Sequence, residues 1–144
     1  MFTLYIRILG KYSAMYNKEN IFWWIASLVW IIFIGILSLL PPSELSGLSF
    51  LHIPGMDKVL HFIFYVILAI FLSNTMFQEL KTSKLKIRIT TVLLCLSYGL
   101  LIEFLQPLTG RSKSFNDLLA DISSAIVGTL LFYQVRIIKN HLSK

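Results

Sequence analysis

Ionisable and polar side chains recur at helical spacing inside stretches that are otherwise apolar. Asp57, His61 and Tyr65 are four residues apart, so they share one face of a helix. Two later stretches repeat the arrangement, with Cys95, Gly99, Glu103 and Gln106 in one and Asp117, Asp121, Ser124 and Gly128 in the other. Carboxylates can accept hydrogen bonds from sugar hydroxyls or from an ammonium group. A carboxylate beside an imidazole can also transfer protons. The spacing therefore predicts a polar pocket between three helices.

Three cations lie close to these acids in the sequence: Lys58, Arg111 and Lys113. A guanidinium recognises phosphate with two parallel hydrogen bonds, so an anionic lipid headgroup is one predicted ligand. No nucleic-acid motif accompanies the net charge of +6. The predicted partners are therefore membrane lipids.

A membrane enzyme is the alternative function. His61 with Glu103 or Asp117 could serve as general base and acid on a headgroup. One histidine with several carboxylates could also hold a divalent cation through oxygen ligands. The motifs Gly-x-Ser-x-Gly and His-Glu-x-x-His do not occur, however, so the sequence predicts neither a metal site nor a cofactor. The sequence leaves the enzyme question open. A small transporter or an assembly partner is a third alternative, although four helices without inverted repeats are not typical of a carrier.

Each of these residues also has a purely structural interpretation. Asp57 follows Pro-Gly and could cap a helix, and Ser114 to Asp117 fits a capping box. Arg111 could be the counter-ion of a neighbouring carboxylate, His61 a hydrogen-bonding residue, and Tyr65 a packing aromatic with a satisfied hydroxyl. A buried ionisable group in a membrane costs roughly 2–3 kcal/mol, which makes the whole set an expensive way to hold helices together. The joint pattern favours a functional pocket.

Composition identifies the elements that must position these side chains. Apolar residues make up 56% of the 144 residues, charged residues make up 14%, and the mean hydropathy is +0.75. A soluble domain would carry about a quarter charged residues, so lipid must solvate much of the chain. Four apolar stretches of 19 to 21 residues are visible, each long enough to cross a hydrocarbon core of about 30 Å. They cover residues 21–40, 59–77, 87–105 and 118–138.

These stretches predict an all-α fold, an integral membrane bundle of four transmembrane helices in one domain over residues 1–144. Residues 1–18 predict an additional amphipathic helix lying in the membrane interface, with Arg7, Lys11 and Lys18 on its polar side. The first apolar stretch is too long for a cleaved signal peptide and ends without a small-x-small site. Cys95 is the only cysteine, so a disulfide within the chain is excluded.

The cations predict the orientation of the bundle. Ten of the 13 lysines and arginines lie on the side of the termini, and only Lys58, Arg111 and Lys113 lie on the opposite side. By the positive-inside rule, both termini are cytoplasmic in the cell membrane. Five of the seven acids fall on the outer side: Glu44, Asp57, Glu103, Asp117 and Asp121. The predicted pocket therefore opens outward.

At these residues the chain resembles the VanZ-like family of small polytopic membrane proteins. The resemblance covers about residues 20 to 138, and it lies in two motifs, Asp57-Lys58-x-x-His61-Phe62-x-x-Tyr65 and Glu103-x-x-Gln106 followed by Arg111, Asp117-Leu118-Leu119-Ala120-Asp121 and Gly128. The family often has Asn where this chain has Asp121 and Gly where it has Ser124. The resemblance implies a role in the cell envelope and in antibiotic resistance, as reduced susceptibility to the lipoglycopeptide teicoplanin. In that context a phosphate of a lipid-linked cell-wall precursor is a further predicted ligand, and the precursor a further predicted partner. The resemblance implies neither a reaction nor an oligomeric state.

Overall fold

Four long helices form the part of the protein that the structure describes. The computed structural model describes residues 18–45, 47, 53, 55–80 and 82–142, and the predicted amphipathic segment at residues 1–18 lies outside this part except for Lys18. The helices are α1 (Lys18–Leu39), α2 (Met56–Glu79), α3 (Lys84–Leu105) and α4 (Phe115–Leu142). A one-turn helix, Pro42–Leu45, follows α1, and a 3₁₀ turn, Gln106–Thr109, follows α3. The described residues include no strand.

Each long helix is apolar enough to cross a membrane. The spans are Asn20–Leu39, Met56–Glu79, Lys84–Thr109 and Phe115–Ile138, with mean hydropathies from 1.6 to 2.3. The prediction of an all-α bundle with four transmembrane helices is confirmed. All four helices begin about a turn earlier than their apolar stretches, because the residues that precede each apolar run are already helical.

Local residue chemistry sets the ends of the helices. Gly55, which has a φ of 83°, precedes α2, and Gly110, with a φ of 77°, ends the 3₁₀ turn; glycine adopts this left-handed conformation without strain. The Ser83 side chain caps α3 by accepting a hydrogen bond from the Lys86 N–H at 3.3 Å. These short turns make α3 antiparallel to both α2 and α4. The start of α2, the end of α3 and the start of α4 therefore meet at one end of the bundle.

Helices α2 and α4 form the most extensive contact in the bundle. A Cβ added at Gly128 of α4 would lie 2.6 Å from the Val66 carbonyl oxygen of α2, so only glycine allows the two backbones to come this close. Tyr65, Leu68 and Ala69 of α2 are completely buried beside this seam. Small residues thus bring the polar faces of α2 and α4 into direct contact.

Helix α1 packs on the outside of this unit through aromatic and polar contacts. The Trp30 indole donates a hydrogen bond to the Phe64 carbonyl at 2.9 Å, and the Tyr98 hydroxyl donates one to the Ile31 carbonyl at 2.5 Å. The opposite face of α1 exposes large apolar side chains, among them Phe22 and Leu28. Such a face suits contact with lipid.

Candidate functional site

The end of the bundle where α2, α3 and α4 meet carries most of the acids and is called here the acidic end; the opposite end, with Lys84, Arg88 and Arg136, is called the basic end. Among the described residues, the buried polar side chains at the acidic end form one group from three helices. We call this group, together with the partly exposed Lys58 that pairs with it, the polar cluster; its members are Lys58, His61, Tyr65, Glu103, Gln106, Asp117 and Asp121. Asp57 lies at its edge, bonded to Lys58.

A buried pair of His61 and Asp121 joins α2 to α4. His61 Nδ1 lies 3.0 Å from Asp121 Oδ1, and the two residues are 6% and 1% exposed. Gly99 of α3 makes room for this pair, because a Cβ there would lie 2.7 Å from Asp121 Oδ2. His61 Nε2 has no hydrogen bond to any described residue. The carboxylate therefore orients the imidazole and leaves one ring nitrogen available for chemistry.

Lys58 bridges two aspartates at the mouth of the bundle. Its ammonium lies 3.1 Å from Asp57 Oδ2 and 3.3 Å from Asp117 Oδ1, and the second contact is an ion pair without the geometry of a hydrogen bond. The Lys58 side chain is 41% exposed, whereas that of Asp117 is only 6% exposed. The interpretation of Asp57 as a helix cap is wrong. Gly55 occupies the N-cap position, and no side chain caps the amino-terminal end of α2 with a hydrogen bond.

Glu103 connects the end of α3 to the start of α4. Its Oε2 accepts a hydrogen bond from the Ser114 N–H at 2.8 Å, and the Ser114 hydroxyl accepts one from the Asp117 N–H at 3.2 Å. In a capping box within one helix, the Asp117 carboxylate would bond to the Ser114 N–H. Here Glu103 takes that position, so the predicted capping box is only half formed. The Asp117 carboxylate is consequently free to face Lys58.

Several buried atoms of the polar cluster have no hydrogen-bond partner in the described part of the chain. They are Glu103 Oε1, Gln106 Oε1, the Tyr65 hydroxyl and Asp117 Oδ1. The Tyr65 ring stacks on His61 with a centroid distance of 6.2 Å, and its hydroxyl interacts electrostatically with Asp121. An unpartnered buried polar atom costs about 1–3 kcal/mol, so this group is poorly explained by packing alone.

The remaining cations of the acidic end stay outside the polar cluster. Arg111 is half-buried, and its side chain forms no ion pair with the described carboxylates. The interpretation of Arg111 as the counter-ion of a neighbouring carboxylate is therefore wrong, because Lys58 pairs with Asp117. Lys113 is exposed, with its ammonium 5.2 Å from the centre of the Phe104 ring. Sequence reasoning missed the pairing of Lys58 with Asp117 and the link from Ser114 to Glu103, since no local motif connects residues on different helices.

The geometry of the cluster limits what it can do chemically. Within the described residues, no three His, Cys, Asp or Glu side chains are arranged to hold a metal ion. The carboxylates offer hydrogen-bond acceptors, and the pair of His61 and Asp121 offers an oriented imidazole. The site can therefore bind a hydrogen-bond donor or move a proton.

The fold and the cluster together define a class: a multi-pass membrane protein with a buried acid–base group at one end of a helical bundle. The sequence profile of the VanZ/LLP1 family matches residues 4–139, nearly the whole chain. The protein belongs to the VanZ/LLP1 family, and the resemblance stated above is confirmed. No curated protein and no solved structure matches the chain.

Proposed function

We propose that this protein binds the headgroup of an envelope lipid, or of a lipid-linked cell-wall precursor, at the polar cluster, and that this binding alters susceptibility to lipoglycopeptide antibiotics such as teicoplanin. One observation carries the proposal: Glu103, only 8% exposed, uses one carboxylate oxygen to bond to Ser114 and leaves the other without a partner in the described chain. Intramembrane ionisable groups that are buried in this way mark ligand sites by default.

The position of the cluster supports a headgroup as the ligand. Lys58, Asp57 and Asp117 lie in the first turns of α2 and α4, so the cluster begins where the apolar spans end. Headgroups of lipids occupy this depth in a bilayer. A ligand anchored in the membrane by its acyl chains would therefore present its polar part directly to the mouth of the cluster.

The charge distribution supports an outward-facing site with both termini in the cytoplasm. The basic end carries Lys84, Lys86, Arg88 and Arg136, whereas the acidic end carries Lys58, Arg111 and Lys113 beside five acids. The orientation is tested with Arg111→Cys in a Cys95→Ser background, labelled in intact cells with an impermeant maleimide. Labelling without permeabilisation supports an outward acidic end, and labelling only after permeabilisation overturns it.

A second candidate function, a membrane enzyme, is favoured by the pair of His61 and Asp121. An imidazole held at Nδ1 by a buried carboxylate, with Nε2 available, is the arrangement of a general base. Purified protein distinguishes the two functions. Turnover of a headgroup that is lost in His61→Gln supports the enzyme, whereas capture of one lipid per protein without turnover supports the binding protein.

The main experiment is complementation of a deletion strain under teicoplanin challenge. Glu103→Gln and Asp117→Asn are compared with wild type at equal membrane abundance, and Glu44→Gln, an exposed carboxylate at the same end, is the matched control. Arg111→Ala tests the cation beside the cluster. We expect protection by wild type and Glu44→Gln, and at least a tenfold loss of the protective effect in the two cluster variants.

Full protection by well-inserted Glu103→Gln and Asp117→Asn would contradict the proposed site. Absence of protection by wild type itself would contradict the link to teicoplanin. Lipid capture by the purified protein tests the binding site separately from resistance, because it requires no antibiotic.

A further inference from the structure

We infer that the chemical group recognised by the polar cluster is a protonated primary amine, so that the ligand is an amine-bearing headgroup and not a purely anionic one. This inference rests on the proposed function and specifies its ligand class. It is carried by the charge balance of the cluster and by the type of atom that is left without a partner there.

The first observation is the excess of acids over bases. Three carboxyl groups of the cluster, those of Glu103, Asp117 and Asp121, stand against two basic side chains, Lys58 and His61, and Asp57 adds a fourth carboxyl at the edge. Both bases are already engaged, since each lies within 3.1 Å of a carboxylate oxygen. An anion entering this group would meet unbalanced negative charge in a region of low dielectric constant, whereas a cation would be stabilised there.

The second observation is that the unpartnered atoms are acceptors. Glu103 Oε1 accepts no hydrogen bond from the described residues, on a residue that is 8% exposed, and Gln106 Oε1 is a second such acceptor, on a residue that is 1% exposed. Asp117 Oδ1 makes an ion pair with Lys58 at 3.3 Å but accepts no hydrogen bond, so it can accept one in addition. A primary ammonium carries three N–H donors, so one such group matches this set of acceptors. A quaternary ammonium has the same charge but no donor.

The third observation concerns the cation beside the cluster. The Arg111 backbone N–H donates to the Gln106 backbone carbonyl at 3.2 Å, which places the Arg111 backbone next to a member of the cluster. Its guanidinium has no carboxylate partner in the part of the chain that the structure describes. A headgroup that carries a phosphate a few bonds from its amine would engage both the guanidinium and the acids. Phosphoethanolamine-type headgroups have this chemistry.

The test is a methylation series of lipids that share their acyl chains. The purified full-length protein in maltoside detergent is mixed with dioleoyl phosphatidylethanolamine, its N,N-dimethyl derivative, phosphatidylcholine or phosphatidylglycerol, and bound lipid is measured by native mass spectrometry. Each charge-assisted hydrogen bond is worth about a tenfold change in affinity or more. We expect affinity to fall at least tenfold from the primary amine to phosphatidylcholine, and phosphatidylglycerol to bind no better than phosphatidylcholine.

Variants test whether the preference for a primary amine arises at the polar cluster. Glu103→Gln should remove most of the preference for the primary amine, while Glu44→Gln should keep it. The lipid series on wild type does not depend on the folding of any variant. Competition by soluble phosphoethanolamine identifies a site that recognises the headgroup alone, and its absence identifies a site that also needs the acyl chains.

The outcomes distinguish this inference from the proposed function. If all four lipids bind equally and Glu103→Gln weakens this binding, recognition of a primary amine is overturned, while a lipid site at the cluster remains. Preferential binding of phosphatidylglycerol would also overturn the amine and would point to Arg111 and Lys58 as the recognising groups. Lipid binding that no cluster variant changes would overturn both proposals.

Discussion

The two ends of this bundle hold charge in opposite ways. At the basic end, cations lie on aromatic rings near the surface: the Arg136 guanidinium is 3.6 Å from the centre of the Phe77 ring, and that of Arg88 is 4.9 Å from the Tyr133 ring. At the acidic end, Asp121 and Asp117 are almost completely buried and face side chains from another helix. Both ends terminate helices of similar hydropathy.

The difference shows what each end is built for. A cation on the face of a ring stays close to water and headgroups, so its desolvation is small and the contact adds about 0.5–1 kcal/mol. A buried carboxylate is strongly unfavourable unless a partner compensates for it, and at the acidic end that compensation is incomplete. Unpartnered buried atoms also occur at the basic end, at Gln78 Oε1 and Arg88 Nε, but they do not belong to carboxylates; the incompletely compensated acids are found at the acidic end, where a ligand would remove their cost.

The largest effect is expected from a change that forces α2 and α4 apart, because both ends of the bundle depend on this helix contact. Gly128→Leu places a side chain against the Val66 carbonyl oxygen, where even a Cβ would be only 2.6 Å away. The α2 backbone at Val66 cannot move aside as a flexible side chain could. We expect no stable folded protein after extraction in detergent, as measured by size-exclusion chromatography and circular dichroism. Gly47→Ala, which meets no atom within 4 Å, is the control. A folded Gly128→Leu protein with normal unfolding temperature would contradict the close seam.

The next largest effect is expected from variants that test whether the buried pair of His61 and Asp121 serves function at a cost in stability. His61→Leu leaves Asp121 buried without its partner at 3.0 Å, so we expect a loss of about 3 kcal/mol in the free energy of unfolding. The double variant His61→Leu with Asp121→Leu removes both polar groups and should recover most of that loss, yet remain inactive in complementation. Chemical unfolding in detergent measures the first result. Recovery of activity together with stability would show that the pair is only structural.

A smaller effect compares two lysines of the acidic end. Lys58→Ala removes the cation that is 3.3 Å from the buried Asp117 carboxylate, whereas Lys113→Ala removes an exposed one. We expect Lys58→Ala to lower the free energy of unfolding by about 1 kcal/mol and to reduce protection, because the Lys58 side chain is 41% exposed and solvent screens its ion pairs. Lys113→Ala should change neither quantity. Equal effects of the two variants would contradict the role of Lys58 in the cluster.

The smallest effect is expected at the basic end. Arg136→Ala loses the contact with the Phe77 ring, which should cost about 0.5–1 kcal/mol and leave protection unchanged. Gln134→Ala, an exposed residue on the same helix, provides the baseline. Loss of protection in well-inserted Arg136→Ala would remove the functional distinction between the two ends.

Much of the fold follows from the sequence because lipid imposes a simple rule. A run of about 20 apolar residues must form a helix that satisfies its own backbone hydrogen bonds, so four such runs give four spans. Helical periodicity likewise places His61 and Tyr65 on one face and Asp117 and Asp121 on another. The conclusion that these faces look inward needs only the cost of an ionisable group in hydrocarbon.

The partners of each group came only from the tertiary structure. Periodicity gives the face on which a residue lies, but the rotation and axial position of one helix against another decide which atoms meet. The close seam at Gly128 brings α4 toward α2, and in that arrangement Lys58, not Arg111, pairs with Asp117. Glu103 completes the cap of another helix for the same reason: Ser114 lies 11 residues away in the chain, and only the turn between α3 and α4 makes them neighbours.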